Sequence, residues 1–278
     1  MDKLDILKQI LYVDRIYHAL NILHARQQEN SCKVIDLRTS ELRLFSQNGE
    51  DGVLDAILRA LQDSPPFFVE FGVGDGWSCN TRLLAEVFEW NGLFIEVEHD
   101  DYLKLAERYC HSKTVCCLES IVTPENINQI FTHHRVPSRF GVLSIDIDGQ
   151  DYWVWEALDA IYQPDIVIIE FNSAHKPDQH IVEKKGLPLG LPLTATWGAS
   201  LGALQSLGEK KGYKLVHTEM AGVNAFFIRE ALLAERELTF LGITRRSPNF
   251  GLRGLNHSNL TLYGTSGNMG NRPLADGL

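Results

Sequence analysis

Two spacings of apolar residues, one helical and one strand-like, alternate along the chain, and their order predicts an α/β domain. Leu4, Leu7, Leu11, Ile16, Leu20 and Leu23 recur among charged residues, the stripe of an amphipathic helix over 2–28. Residues 46–61 predict a second helix, with Ser46 or Asn48 near its cap and the acids Glu50 and Asp51 in its first turn. Short apolar runs then read as buried strands at 67–69, 92–98, 114–118, 142–147 and 165–171. Helical spacing returns after each of them, over 77–88, 101–110, 126–133, from near 151, and over 200–211. Two more strands, 213–217 and 224–229, follow one another without a helix between them. From Leu232 on no clear period remains, and 247–278, rich in Gly, Asn and Ser, reads as a flexible tail.

The stretch 67–76, FFVEFGVGDG, joins the first of these strands to its helix. Glu70 ends the apolar run, and Gly72, Gly74 and Gly76, at alternate positions, let the backbone turn sharply with no Cβ in the way. Strand, glycine loop and helix make the geometry of a nucleotide-binding first turn. Glu96 ends the next strand about twenty residues beyond Gly76, where an acid takes a ribose diol.

The pattern Glu70-x-Gly72-x-Gly74-x-Gly76 resembles the first motif of class I S-adenosylmethionine-dependent methyltransferases rather than the G-x-G-x-x-G of dehydrogenases, because the glycines alternate and an acid precedes them. Residues 143–151 (LSIDIDGQD) and 166–172 (IVIIEFN) resemble that fold's fourth and fifth strand ends, most closely in its FkbM-like branch. The resemblance spans roughly 46–230. It implies a Rossmann-like fold with a mostly parallel seven-stranded sheet closed by a carboxyl-terminal antiparallel hairpin. An amino-terminal helical segment (1–45) and a carboxyl-terminal extension (231–278) would flank the binding domain (46–230). It also implies S-adenosylmethionine as cofactor, with Glu70 and the three glycines at the methionine end and Glu96 on the ribose. Gln47, in the S-Q-x-G-E-D element, would lie near the methionine end, a capping role fitting it equally well. Glu119 or Ser120, at the third strand's end, would lie beside the adenine.

Residues 140–155, FGVLSIDIDGQDYWVW, are the richest in chemistry. Asp146 and Asp148, two apart, emerge on one side at the carboxyl end of a strand, where open α/β sheets bind ligands. Either one caps the following helix and the other is solvated, or the pair contacts the cofactor amine, acts as general base or binds a metal. Glu170 and Asn172 reach the same edge from the next strand. Metal-dependent O-methyltransferases of the catechol type are similar there, which implies Asp146, Glu170 and Asn172 as ligands for magnesium or manganese, with Asn172 displaced by one residue because Phe171 intervenes. His175 and His180, in the following loop, are candidate bases or ligands, solvation being the alternative. The Gly/Pro-punctuated stretch 181–197 reads as a lid.

Composition narrows the partners. A formal charge of −10 over 278 residues disfavours nucleic acid and anionic membranes, since phosphate binding needs a basic face, and points to a small-molecule acceptor. The five cysteines lack C-x-x-C spacing, which fits free thiols in a reducing cytoplasm. The amino terminus lacks a signal peptide's uninterrupted apolar core, and no run approaches a membrane span of ~20 residues. The amino-terminal helix packs on the domain, makes a homodimer contact or flaps over the substrate, and its sequence does not choose. The function expected is methyl transfer to a small molecule at oxygen, in biosynthesis of a natural product or saccharide. N-methylation or another transfer from the same cofactor is the enzymatic alternative, and a non-catalytic nucleotide-binding regulatory protein the alternative of another class.

Overall fold

The computed structural model describes residues 33–176, 178–186 and 197–244. The expected helix over 2–28, most of the expected lid and the tail from 247 lie outside these residues. In chain order the strands are β1 (Val34–Asp36), β2 (Phe67–Phe71), β3 (Asn91–Glu96), β4 (Val115–Glu119), β5 (Arg139–Ile145), β6 (Gln163–Glu170), β7 (Tyr213–Thr218), β8 (Asn224–Arg229) and β9 (Thr239–Leu241). The helices are α1 (Glu50–Leu61), α2 (Arg82–Glu86), α3 (His99–Tyr109), α4 (Ile127–His133), α5 (Asp151–Ala157), α6 (Leu201–Lys211) and α7 (Glu230–Arg236).

Seven strands form one sheet in the order β4-β3-β2-β5-β6-β8-β7. β2 to β6 run parallel, and β8 pairs antiparallel with both β6 and β7. This is the α/β Rossmann-like arrangement with a carboxyl-terminal hairpin. From β2 the chain first winds outward through β3 and β4, then returns to lay β5 on the other side of β2. The gap between the carboxyl ends of β2 and β5 is therefore the switch point at which such sheets bind ligands.

Strand periodicity sorts the core. Val69, Leu93, Leu143 and Val167 face one layer, with Phe131 of α4, Trp155 of α5 and Leu204 of α6. Phe68, Phe94, Val142, Ile168 and Phe226 face the other, with α1, Leu105 of α3 and Leu232 of α7. Because side chains alternate along a strand, continuing the second set toward the strand ends brings Glu70, Glu96, Ser144, Glu170 and Asn224 out on the α1 side. Five strands thus deliver polar groups to one corner.

Three local expectations change. The helix expected over 77–88 is only Arg82–Glu86, because residues before it fold back onto buried Glu70. Its carboxylate accepts from Asn80 N (2.7 Å), Thr81 N (2.9 Å) and Thr81 Oγ1 (2.6 Å), and from Ser144 Oγ (3.2 Å). Past Leu232, where no period was legible, α7 and β9 form, and β9 pairs in parallel with β1. Residues on either side of 46–230 are thereby joined. The helix expected to open at 46 opens at Glu50, after a turn folded around Asp51.

That turn carries a pH-dependent load. Asp51 Oδ2 accepts from the backbone N–H groups of Leu44, Phe45 and Ser46 and from Ser46 Oγ, at 2.7–2.9 Å. Complete burial outweighs these bonds and pushes the carboxyl up to about 6 from an ordinary 3.8. The folded state therefore holds a proton the unfolded chain has released, and stability falls as pH rises from about 4 through about 6. Oδ1 has no partner among the described residues, so Asp51→Asn keeps all four bonds through its carbonyl oxygen. The variant is expected to be more stable than wild type at pH 7.5, by at most ~3 kcal/mol, and nearly equal at pH 4. Denaturant titrations at the two pH values check this; a less stable variant at pH 7.5 would show that the ionised carboxylate is the favoured form.

Candidate functional site

The glycine loop turns three times through positive φ, at Gly72 (+69°), Gly74 (+56°) and Gly76 (+72°), a backbone that other residues rarely adopt. A Cβ on Gly72 would lie 1.7 Å from the carbonyl oxygen of Asp146, so the loop passes directly against the end of β5. A Cβ on Gly76 would meet Leu105 at 2.6 Å, which packs the loop's far end on α3. Over Gly74 nothing lies within 4 Å among the described residues. Two of the glycines thus serve packing, and the middle one faces open space.

Glu96 holds this loop in place. It is 4% exposed; Oε2 accepts from Gly74 N at 2.6 Å and Oε1 from Val97 N and Glu98 N at 2.8 Å. A carboxylate has about four acceptor positions, so these three bonds leave about one, on Oε2, for a ribose hydroxyl. Glu70, by contrast, spends its oxygens on the start of α2 and on β5, and burial raises its carboxyl.

Across the switch point, Asp146 and Asp148 follow β5 in a turn held by Asp151, whose carboxylate accepts from Ile147 N and Gly149 N, both at 2.9 Å. Asp148 has φ +51°, a strained conformation for a residue with a side chain, and Gly149 has φ +116°. Carboxylate oxygens of Asp146, Asp148 and Glu170 all lie within 4.8 Å of one another. Asp146 and Glu170 share a hydrogen bond; loss of water, then the neighbouring charges, raise both well above the usual carboxylate range. Burial, and after it Glu96, raises Asp148 too. Glu170 is buried, and its Oε2 has no hydrogen-bond partner among the described residues.

Asn172 is engaged by neighbouring backbone: its Nδ2 donates to Trp197 O (3.1 Å) and its Oδ1 accepts from Ala174 N (3.0 Å). Asp148, in a turn at positive φ, belongs to the acidic cluster with Asp146 and Glu170. Neither histidine joins it. His180 is exposed beside Ser206 of α6, at 3.5 Å, while His175 is half-buried, lowered by burial, with Nε2 unpartnered among the described residues. At the carboxyl end of β4, Glu119 is exposed and contacts His99 Nδ1 (2.9 Å), and Ser120 Oγ donates to Ile121 O (3.2 Å). Gln47 is half-buried in the turn before α1.

Two groups were not singled out in the sequence. Gln150 Nε2 donates to Lys184 O (3.1 Å), its Oε1 accepts from Gly186 N (2.8 Å), and Trp153 Nε1 donates to Glu183 O (2.7 Å), strapping 183–186 onto the turn that carries Asp146 and Asp148. Asn224 and Glu219, at the hairpin between β7 and β8, face the α1 amino terminus. The repeated Gly and Pro of the loop and the polar start of an apolar strand were the signals.

No family model matches the chain, and no curated protein matches it. Solved structures similar to it include the CurJ carbon methyltransferase (12% identity, TM-score 0.42, 65% of this chain), of which the chain covers 54%, about half. The N-terminal domain of EvdMO1, solved in the presence of SAH and D-fucose, gives 15% identity and TM-score 0.41 over 64% of this chain and 81% of its own. A SAM-dependent methyltransferase from Aquifex aeolicus gives 13% and 0.37 over 63% and 89%. Among the described residues no helix is long and apolar enough to cross a membrane.

Proposed function

We propose that this chain is an S-adenosylmethionine-dependent methyltransferase of a small-molecule acceptor, acting at oxygen. One observation carries the reading: a glycine loop whose middle turn faces open space is clamped by Glu96 on one side and lies against an acidic turn at the switch point on the other. Backbone N–H groups and a carboxylate suit a nucleoside with a charged amino-acid arm. The converging carboxyls of Asp146 and Glu170, both raised by burial and by neighbouring charge, are the candidates to take a proton from a hydroxyl.

Bound against the glycine loop and Glu96, S-adenosylmethionine would supply an electrophilic methyl group. The Asp146–Glu170 pair would take the proton of the acceptor hydroxyl. Asp151 and the Gln150 strap keep that pair opposite Gly72. Alignment is the chief contribution of the protein to such a step.

The acidic residues also fit a hard divalent cation. Three carboxylates converge, and the buried, unpartnered Oε2 of Glu170 lacks a counterpart that magnesium or manganese would supply. Bound there, such an ion would lower the pKa of the acceptor hydroxyl. Asp146, Asp148 and Glu170 would hold it, with Asn172 outside the set.

Incubation with methyl-labelled cofactor and a panel of hydroxylated small molecules, read by mass spectrometry for methylated product and adenosylhomocysteine, tests the proposal. Product is expected, and loss of activity on chelation restored by magnesium or manganese would add the metal. Cofactor binding without adenosylhomocysteine on any acceptor would favour the non-catalytic reading.

A further inference from the structure

The corner where α1 meets the β6–β8 pair carries several polar groups that methyl transfer to a generic hydroxyl does not use. Asn224 lies directly opposite Glu170 in the pairing of β8 with β6, so their side chains share a face. Its Nδ2 donates to Glu50 Oε1 at 2.9 Å. Asn48 donates to the same oxygen through Nδ2 at 3.1 Å, and its backbone N–H to Oε2 at 2.8 Å. One carboxylate therefore holds both amides with their nitrogens inward, and rotating either amide would set oxygen against oxygen.

The result is a row of acceptors without donors. Asn48 Oδ1, Asn224 Oδ1 and Glu170 Oε2 are all buried, and none has a hydrogen-bond partner among the described residues. Asn224 as a whole is 3% exposed. Glu219 stands behind them, accepting from the backbone N–H groups of Ala221, Val223 and Asn224, and is raised by burial and by Glu50. Buried acceptors are costly unless a partner donates to them. A ligand group that satisfies this row must bring N–H or O–H, and the surrounding carboxylates favour positive charge and oppose negative charge.

We propose that Asn48, Asn224 and Glu170 form the acceptor-binding subsite of this enzyme, and that it takes a hydroxylated amine, the ammonium or vicinal hydroxyls of an amino-sugar-like headgroup. This rests on the methyltransferase reading, because it places the methyl acceptor beside the Asp146–Glu170 pair. The cofactor's own ammonium shares the same donor chemistry, and the experiment separates the two.

The protein is saturated with S-adenosylhomocysteine and titrated by calorimetry with glucosamine, glucose and glucuronate. Glucosamine is expected to bind best and glucuronate worst, by about tenfold or more, the effect of a charge placed well or badly against carboxylates. Asn224→Leu and Asn48→Ala, checked for native thermal unfolding, are each expected to weaken glucosamine about tenfold, one lost charge-assisted hydrogen bond, while leaving adenosylhomocysteine affinity unchanged. Equal binding of the three sugars, preference for glucuronate or no sugar binding to the wild-type complex would overturn the subsite. So would variants that lose adenosylhomocysteine but keep the affinity of its deaminated analogue, which would assign the row to the cofactor's ammonium. Failure of adenosylhomocysteine itself to bind wild type would instead overturn the methyltransferase reading on which the subsite rests.

Discussion

Gly72→Ala is expected to destabilise the whole domain, whereas Gly74→Val is expected to leave it folded and unable to bind S-adenosylmethionine. Both positions have positive φ, so each substitution bears left-handed strain of about 1–2 kcal/mol. Their surroundings separate them. At Gly72 even one methyl group would stand 1.7 Å from the carbonyl oxygen of Asp146, and that atom belongs to the backbone at the end of a central strand. Relief requires β2 and β5 to part at the switch point, where they pair through Glu70 and Ser144, and overpacking of this kind adds about 1–3 kcal/mol. At Gly74 no atom of the described residues lies within 4 Å, so the valine side chain fits the fold and fills the space left for the ligand. Thermal unfolding of both variants, with cofactor titration of Gly74→Val, checks the pair. A Gly72→Ala protein as stable as wild type would mean that the loop does not rest on Asp146.

Asp146→Asn is expected to lower methyl transfer by about 10²–10⁴, the usual contribution of a positioned base, while raising the melting temperature. The two effects have one cause. Burial first, and the charges of Asp148 and Asp151 next, press Asp146 toward its protonated form, so a neutral amide relieves repulsion that the folded chain otherwise carries. The same amide cannot take a proton from the acceptor. Activity lost together with stability gained marks a residue retained for function, whereas a buried structural carboxylate such as Asp51 gains stability on becoming an amide with no loss of activity. Single-turnover kinetics and unfolding curves on one preparation measure both. A variant that loses both activity and stability would assign Asp146 to holding the turn, a role Asp151 fills in the present account.

The fold was legible because its strands are short, continuous apolar runs. Phe67, Phe68 and Val69, or Ile166 to Ile169, are apolar on both faces, as strands covered by helices on each side must be. The candidate site was legible to the extent that its acids terminate such strands: Glu70, Glu96, Asp146 and Glu170 were all named from that position. What each acid does was not, because it depends on the chain it meets on return. Glu70 looks outward in the sequence and is consumed by Asn80 and Thr81, so the following helix is short. Asn172 lies two residues after Glu170, but its amide is drawn to Trp197 and Ala174. Asp148 was named with Asp146 from their spacing, but the αL turn that carries it was not legible. Asn224 and Asn48, 176 positions apart and joined through Glu50, are a purely tertiary fact, as is the β1–β9 pair.

The most direct measurement is a calorimetric titration of the wild-type chain with S-adenosylhomocysteine, repeated with Gly74→Val. The account predicts saturable binding of one ligand per chain to wild type, displaced by S-adenosylmethionine, and its loss in a folded Gly74→Val protein. Binding that is absent from wild type, or unaffected when the space over Gly74 is filled, would contradict it.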